Sequence, residues 1–391
     1  MISALPGFVM LLPVFIRSYF SRTYLLALAL SCIPLCMSVF SPEPLRLAER
    51  RLIATGQLAY SLTLGLLLFW LITSCRREQV TRLISVFIPC YIVMICLELY
   101  TPFRQIVVEY MQFYASGLSS NVIYRDIGMA GGHRPKMFTA ETSYVAMTAV
   151  FAIGAYVWLS NRAHKYIVAI AYSVILTVLI RSPTMLATIA VIGIDFGCRL
   201  LRDRGLRAHL LWLAPVGGLS AVIGAILLLQ VLGPYIEVRL RGVQSGADYS
   251  VTYRTHGSLA AGVAVANEWP VAGVGIGGQE LAASRVQAVY AAKGVPLAAI
   301  AKEWRGSLNN ALSFSLVVFG YLGLVVMAVI GCWALQRLAG PLTPQFWMLA
   351  LVLSATFGAV YTPKYVVTLL GFAGLNAVML RAQGSLRPGG R

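Results

Sequence analysis

The chain has 391 residues, 59% of them hydrophobic and only 12% charged, with a mean hydropathy of +0.77. Soluble domains are nearer one-quarter charged and about half apolar, so a water-soluble globular fold of this length is excluded. The formal net charge of +17 would point to nucleic acid in a soluble protein, but its arrangement along this chain follows membrane topology, and no nucleic-acid partner is expected.

The apolar residues come in blocks long enough to cross about 30 Å of hydrocarbon as helix, and they do not alternate as the strands of a β-barrel would. The sequence therefore predicts an all-α polytopic integral membrane protein, a single membrane domain over residues 1–391. In chain order the expected transmembrane helices are residues 24–40, 52–72, 83–100, 138–159, 166–180, 185–197, 211–232, 311–335, 346–361 and 365–380, about ten in all. Residues 1–16 are apolar but short and interrupted by Pro6 and Pro13. They are an eleventh span, a re-entrant piece or an uncleaved start; no small-residue cleavage site follows, so no removable signal peptide is expected.

Alternate loops differ in charge. One set holds Arg17 and Arg22, then Arg76, Arg77 and Arg82, then Arg162 and Lys165, then Arg199, Arg202, Arg204 and Arg207. It continues with Arg337 and with Arg381, Arg387 and Arg391 of the tail at 381–391, opposed only by Glu78 and Asp203. The positive-inside rule puts these loops in the cytoplasm and the two long loops outside. Fifteen basic residues against two acidic ones place +13 of the +17 on that face, where anionic lipid headgroups are the partner. The seven cysteines lie within spans or near their cytoplasmic ends, which suits packing and gives neither a disulfide framework nor a metal cluster.

The outside loops at 101–137 and 233–308 are far longer than a helix connection needs, which suggests function. In the second, an apolar run at 259–266 and another around Leu281, Val289 and Tyr290, mixed with Arg285 and Lys293, predict short helices lying at the membrane surface. Several ionisable residues fall at the outer ends of spans, where each costs free energy unless it meets a polar cavity or a partner. Glu141 lies one turn into its helix, Arg134 and Lys136 precede it, and Arg181 sits in a connection of a few residues. They can line one pocket open to the outside, or the cations can snorkel to headgroups with Glu141 paired to one of them. Asp195 has Arg199 at i+4 and reads as structural.

At these residues the chain resembles the O-antigen polymerase and ligase superfamily, the Wzy-type polysaccharide polymerases and their lipopolysaccharide-ligase relatives. Arg134-Pro-Lys-Met-Phe-Thr-Ala-Glu141-Thr-Ser143 is similar to the family's arginine and Glu-Pro-Ser entering a span, with Thr142 in place of the proline. Tyr253-Arg254, followed by Glu268-Trp-Pro270-Val-Ala-Gly273-Val-Gly275, is similar to its arginine, short helix and Pro-Leu-x-Gly-x-Gly in the large outside loop. Asn309-Asn310 with Gly320 and Gly323 is similar to its His-Asn and Gly-x-x-Gly, except that Asn309 stands where the ligases have histidine. Arg181 before Ser182-Pro-Thr looks like the arginine the family places at a short turn. The likeness covers the chain from Arg134 onward. Gly273, Gly275 and Gly278 also fit G-x-G-x-x-G, but no β-α-β unit surrounds them and a dinucleotide fold is rejected.

The resemblance implies a polymerase of polyprenyl-diphosphate-linked oligosaccharide repeat units, for O-antigen, capsule or exopolysaccharide, working at the periplasmic face of a bacterial inner membrane. Donor and acceptor are both lipid-linked, and a flippase and a chain-length regulator are the implied partners. An acceptor hydroxyl displaces the diphosphate at the anomeric carbon with inversion. Arg181 and Arg254 are the expected catalytic cations for the departing diphosphate, since a guanidinium stays charged and grips phosphate oxygens in a fork. Glu141 is the expected base. Arg134, Arg241, His256, Asn309, Asn310 and Gly275 are the expected substrate-binding positions, with Arg239, Arg285 and Lys293 as weaker ones; no metal and no other cofactor is expected. His133 reads as a solvated loop residue, and Asn309 can orient a sugar hydroxyl but cannot take its proton. The alternatives are a ligase moving a finished glycan onto lipid A core or protein and, from another class, a flippase or transporter. The last favours repeated halves and helices broken near the midplane.

Overall fold

The computed structural model describes residues 22–114, 134–137, 142–162, 164–202, 256–296 and 308–384, with the single positions 233, 237, 241 and 300. Among them every regular element is helical: α1 Arg22–Met37, α2 Ala48–Ser74, α3 Arg77–Tyr100, α4 Phe103–Tyr114, α5 Thr142–Leu159, α6 Lys165–Ile180 and α7 Pro183–Arg202. After these come α8 His256–Glu268, α9 Ala283–Ala292, α10 Ala311–Ala339, α11 Pro344–Thr356 and α12 Pro363–Ala382. Helices α2, α3, α5, α10 and α12 are each long and apolar enough to cross a membrane, while α1, α6, α7 and α11 supply shorter apolar stretches. This suits a membrane-embedded protein. The expected span at 211–232 lies outside the described residues.

The helices fall into two compact units, one built from residues 1–77 with 249–391 and the other from 78–248. In the first, α2 and α12 pack in parallel. Their order of contact runs from Ser61, whose hydroxyl donates to Tyr361 O at 2.9 Å, to Thr73 O, which accepts from Arg381 Nη1 at 2.8 Å. Between apolar helices in lipid, close packing replaces the hydrophobic effect as the driving force, and small residues permit it. Gly65 does so here: a Cβ on it would stand 2.5 Å from Leu370 Cδ1 and 3.2 Å from Val366 O. Helix starts follow capping chemistry. Thr343 accepts from Phe346 N at 3.4 Å ahead of Pro344, and Asn310 accepts from Ser313 N at 2.8 Å, each satisfying an amide that the first turn leaves open.

The predicted short helices of the large loop are present as α8 and α9, but they do not simply lie on a surface. Ala261 and Val265 of α8, Val286 and Tyr290 of α9, and Val317 and Val318 of α10 are all fully buried in one cluster. Helix α10 divides accordingly. Its first turns, Phe314 to Phe319, are buried in that cluster, whereas Leu322, Val325, Val329 and Trp333 beyond Gly320 are exposed along one stripe. The loop elements therefore cap the end of the bundle at which α2, α10 and α12 begin. Arg337 and Arg381 fall in the last turns of α10 and α12, at the opposite end.

In the second unit α3 and α5 run antiparallel, with Tyr91 Oη donating to Val145 O at 3.0 Å and Thr81 Oγ1 to Leu159 O at 3.3 Å. Lys165 is buried and its ammonium donates to Val157 O and Ser160 O at 2.5 and 3.0 Å. Asp195 is buried and accepts from Tyr166 Oη at 2.6 Å, which agrees with its structural reading.

Candidate functional site

In the second unit the end of α3, the start of α5 and the turn between α6 and α7 share one end. Two expected site residues meet there. Arg134 Nε donates to Ile180 O at 3.5 Å, the residue next to Arg181. Arg181 forms the C-cap of α6 with φ 52° and ψ 50°, its N–H donating to Thr177 O at 2.9 Å. Glycine is the usual residue in this left-handed position, and an L side chain there costs about 1–2 kcal/mol. The Arg134 guanidinium meets the negative end of the α6 dipole at Ile180 O, while α5 and α7 begin at this end and add the positive potential of their first amides. At the start of α5 the hydroxyl Thr142 Oγ1 is buried with no hydrogen-bond partner among the described residues.

A carboxylate that the sequence reading passed over organises this end. Glu98 is buried near the end of α3, and its two oxygens accept from Lys136 N at 2.7 Å and Met137 N at 2.8 Å. The Arg134-Pro-Lys-Met segment is thus pinned by backbone bonds to an acid, and Met137 takes φ 45° to make them. The signal was available: Glu98 is a lone charge among the apolar residues Ile95 to Leu99, which demands partners.

The first unit joins two other motifs. Helix α10 is broken at Gly320, with φ 65° and ψ −167°, and the segment after α8 enters the break. Val274 N and Gly275 N donate to Val317 O and Val318 O at 2.9 Å each, Pro270 O accepts from Tyr321 N at 2.8 Å, and Val271 O from Gly323 N at 2.9 Å. Each backbone group released by the break finds a loop partner in this way. Gly275 sits at φ 79°, where a Cβ would stand 2.8 Å from Ser38 Oγ. This close approach, with a positive φ, is what calls for glycine there. Arg51, also unanticipated, clamps the same segment: it is buried, donates from Nη1 to Ser38 O, and from Nη2 to Pro42 O at 2.9 Å and Val274 O at 3.5 Å.

Beyond the glycines the chain lines a cavity of about 320 Å³ bounded by Arg50, Gly277, Gln279, Glu280, Leu308, Phe314, Ala359 and Tyr361. Arg50 is ion-paired to Glu280. Gln279 Nε2 donates to Tyr361 Oη at 3.0 Å, and the Tyr361 and Phe314 rings lie 5.5 Å apart. These residues come from α2, the 3-10 turn Gln279–Ala282, the start of α10 and the connection between α11 and α12, so no short stretch of sequence announces them.

Glu141, Arg254, Arg239 and His133 lie outside the described residues. Arg241 is exposed and paired to Glu237 one turn away, and His256, Arg285 and Lys293 are exposed on α8, on α9 and after it. Asn310 caps α10, and Asn309 is half-buried next to Leu308. No family model, no curated protein and no solved structure matches the chain, so the family resemblance rests on the motifs themselves.

Proposed function

We propose that the protein polymerises polyprenyl-diphosphate-linked oligosaccharide repeat units at the outer face of a bacterial inner membrane. The observation that carries this reading is the pair of guanidiniums, Arg134 and Arg181, at one end of α6. A left-handed arginine where glycine would be strain-free supports a role for that side chain, and two arginines at one helix end suit a leaving diphosphate whose charge grows in the transition state. The acceptor hydroxyl attacks the anomeric carbon, the bond from that carbon to the diphosphate oxygen breaks, and the hydroxyl proton passes to Glu141. The lipid tail of the donor supplies the membrane anchor, and about ten crossings, with the large loop in the periplasm, provide the platform.

The broken α10 brings the transporter reading into the comparison, because transporters bind cargo at helices broken within the membrane. Here the freed carbonyls of Val317 and Val318 and the amides of Tyr321 to Gly323 are taken by residues 270–275. That backbone is spent on the fold and is not left to a ligand.

The test is purified protein given a defined polyprenyl-diphosphate repeat unit. A ladder of longer lipid-linked products supports polymerisation. Transfer of a finished chain only to an added lipid A core would replace it with ligation, and binding without any product would leave a carrier.

A further inference from the structure

The cavity between Arg50 and Tyr361 has no role in the scheme above, and its chemistry is specific. Among the described lining residues the one cation, Arg50, is ion-paired to Glu280, so a phosphate would gain little from that pair and would meet the carboxylate. A plain hydrocarbon chain would leave four polar side chains, Arg50, Gln279, Glu280 and Tyr361, facing it without new partners. A sugar ring satisfies both halves of the lining. Its hydroxyl edge supplies donors and acceptors for the carboxamide, the carboxylate and the phenol, while its C–H face packs on aromatic rings such as Phe314 and Tyr361 and on Leu308. The volume of about 320 Å³ is at the small end of ligand sites, which begin near roughly 300 Å³, and fits a short saccharide better than a long one.

The fold also explains how such a site is kept open. The latch of residues 270–275 in the α10 break, the Arg51 clamp, and Gly277, whose Cβ would stand 2.6 Å from Arg50 O, hold Gln279 and Glu280 opposite Tyr361. On the far wall Gly358 packs against the Leu308 carbonyl so closely that a Cβ would overlap it at 1.8 Å. The segments around the cavity are thus fixed by contacts to the backbone before any ligand arrives, which limits the ordering that binding must impose.

We infer that this cavity binds a neutral saccharide, one or two sugar rings of the glycan on which the protein acts, through Gln279, Glu280 and Tyr361. The inference rests on the proposed polymerase reading only for the source of the sugar; the binding itself is independent of turnover. The probe is the repeat-unit oligosaccharide released by mild acid from the lipid-linked intermediates of the source cells, titrated into the purified full-length protein in detergent and followed by saturation-transfer NMR. Tyr361→Phe keeps the ring and removes one hydroxyl; Gln279→Ala removes the carboxamide. Each is expected to weaken binding by roughly three- to tenfold, the value of one hydrogen bond, and Arg337→Ala, exposed in the last turn of α10 at the opposite end, to leave it unchanged. Melting curves matching the parent confirm that each variant is folded. Equal affinity in parent and both cavity variants, or no binding by the parent, overturns the inference even if the product ladder forms. Variant-sensitive binding with no ladder upholds the saccharide site and sinks the polymerase reading alone.

Discussion

Gly273 and Gly320 are packed backbone against backbone: a Cβ on Gly273 would stand 2.6 Å from Gly320 N, and one on Gly320 would stand 2.8 Å from Gly273 N. Both have positive φ, 56° and 65°, which glycine adopts without steric cost. The Pro-x-x-Gly-x-Gly loop motif and the Gly-x-x-Gly helix motif are therefore two halves of one joint. Their spacing in the sequence conceals this.

Replacing either glycine by alanine combines a disfavoured backbone conformation with overlap against a main chain that cannot swing away. The expected cost is about 2–4 kcal/mol for Gly320→Ala or Gly273→Ala. Gly331→Ala, in the same helix but with open space around it, should be neutral or slightly stabilising. Thermal midpoints in detergent measure this. Equal midpoints for Gly320→Ala and Gly331→Ala would show that the joint contributes nothing.

Glu98 offers a second test, on the other unit. Glu98→Gln keeps the shape but turns an amide NH₂ toward one of two backbone donors, so one of the bonds to Lys136 N and Met137 N is lost. Charge-assisted bonds are worth about 1.5–3 kcal/mol each. Hydrogen exchange at residues 136 and 137 should accelerate at least tenfold. Unaltered protection at both amides would mean that Glu98 does not hold this segment.

Much of this was readable from the sequence, and the unread parts share a cause. Hydropathy located α2, α3, α5, α10 and α12 because an apolar block of that length has one stable solution in lipid. Arg134 and Arg181 were legible as charges at span ends. Glu98 was legible in principle on the same ground. Arg50, Gln279, Glu280 and Tyr361 were not, because each is an ordinary surface-type residue until tertiary packing brings three separate segments together. The charge rule likewise passes over Arg46, Arg50 and Arg51, three cations on an expected outside connection. The structure gives each a partner: Glu43 at 2.9 Å, Glu280, and the Ser38, Pro42 and Val274 carbonyls.

The topology proposal has a direct measurement. In a background freed of the seven cysteines, Ala247→Cys should react with an impermeant maleimide in intact spheroplasts, whereas cysteines at Arg204 and Gln383 should react only after permeabilisation. The parallel packing of α2 with α12 requires both to cross in one direction, as this scheme has them. Labelling of position 247 only after permeabilisation would invert it.

Polymerisation is expected to continue in excess chelator at nearly the parent rate, because in the proposed mechanism Arg134 and Arg181 bring the positive charge that a divalent ion would otherwise supply to the diphosphate. Complete loss of activity, restored by magnesium or manganese, would sink the arginine mechanism.

The sharpest prediction concerns Arg181, with Arg254 tested separately on the strength of the family resemblance alone. Arg181→Lys retains the charge and the αL backbone but replaces a planar fork by a single ammonium, which cannot grip two phosphate oxygens at once. Loss of a preorganised donor to developing charge costs on the order of 3 kcal/mol, or roughly a hundredfold or more in rate. Arg181→Gly provides the complementary control: it removes the side chain while relieving the left-handed strain, so it should melt no lower than the parent and yet be as inactive as the lysine variant. If the arginine serves only as a cap for α6, Arg181→Gly will be stable and active, because glycine is the better cap. That outcome, or near-normal ladders from Arg181→Lys together with Glu141→Gln, would remove the proposed diphosphate site from this end of the unit. Arg254→Lys is expected to lose activity to a similar degree, against little change for Arg285→Lys, an exposed side chain of α9. Each variant must reach the membrane in parent amounts for its rate to count, since a misfolded loop would imitate a lost contact.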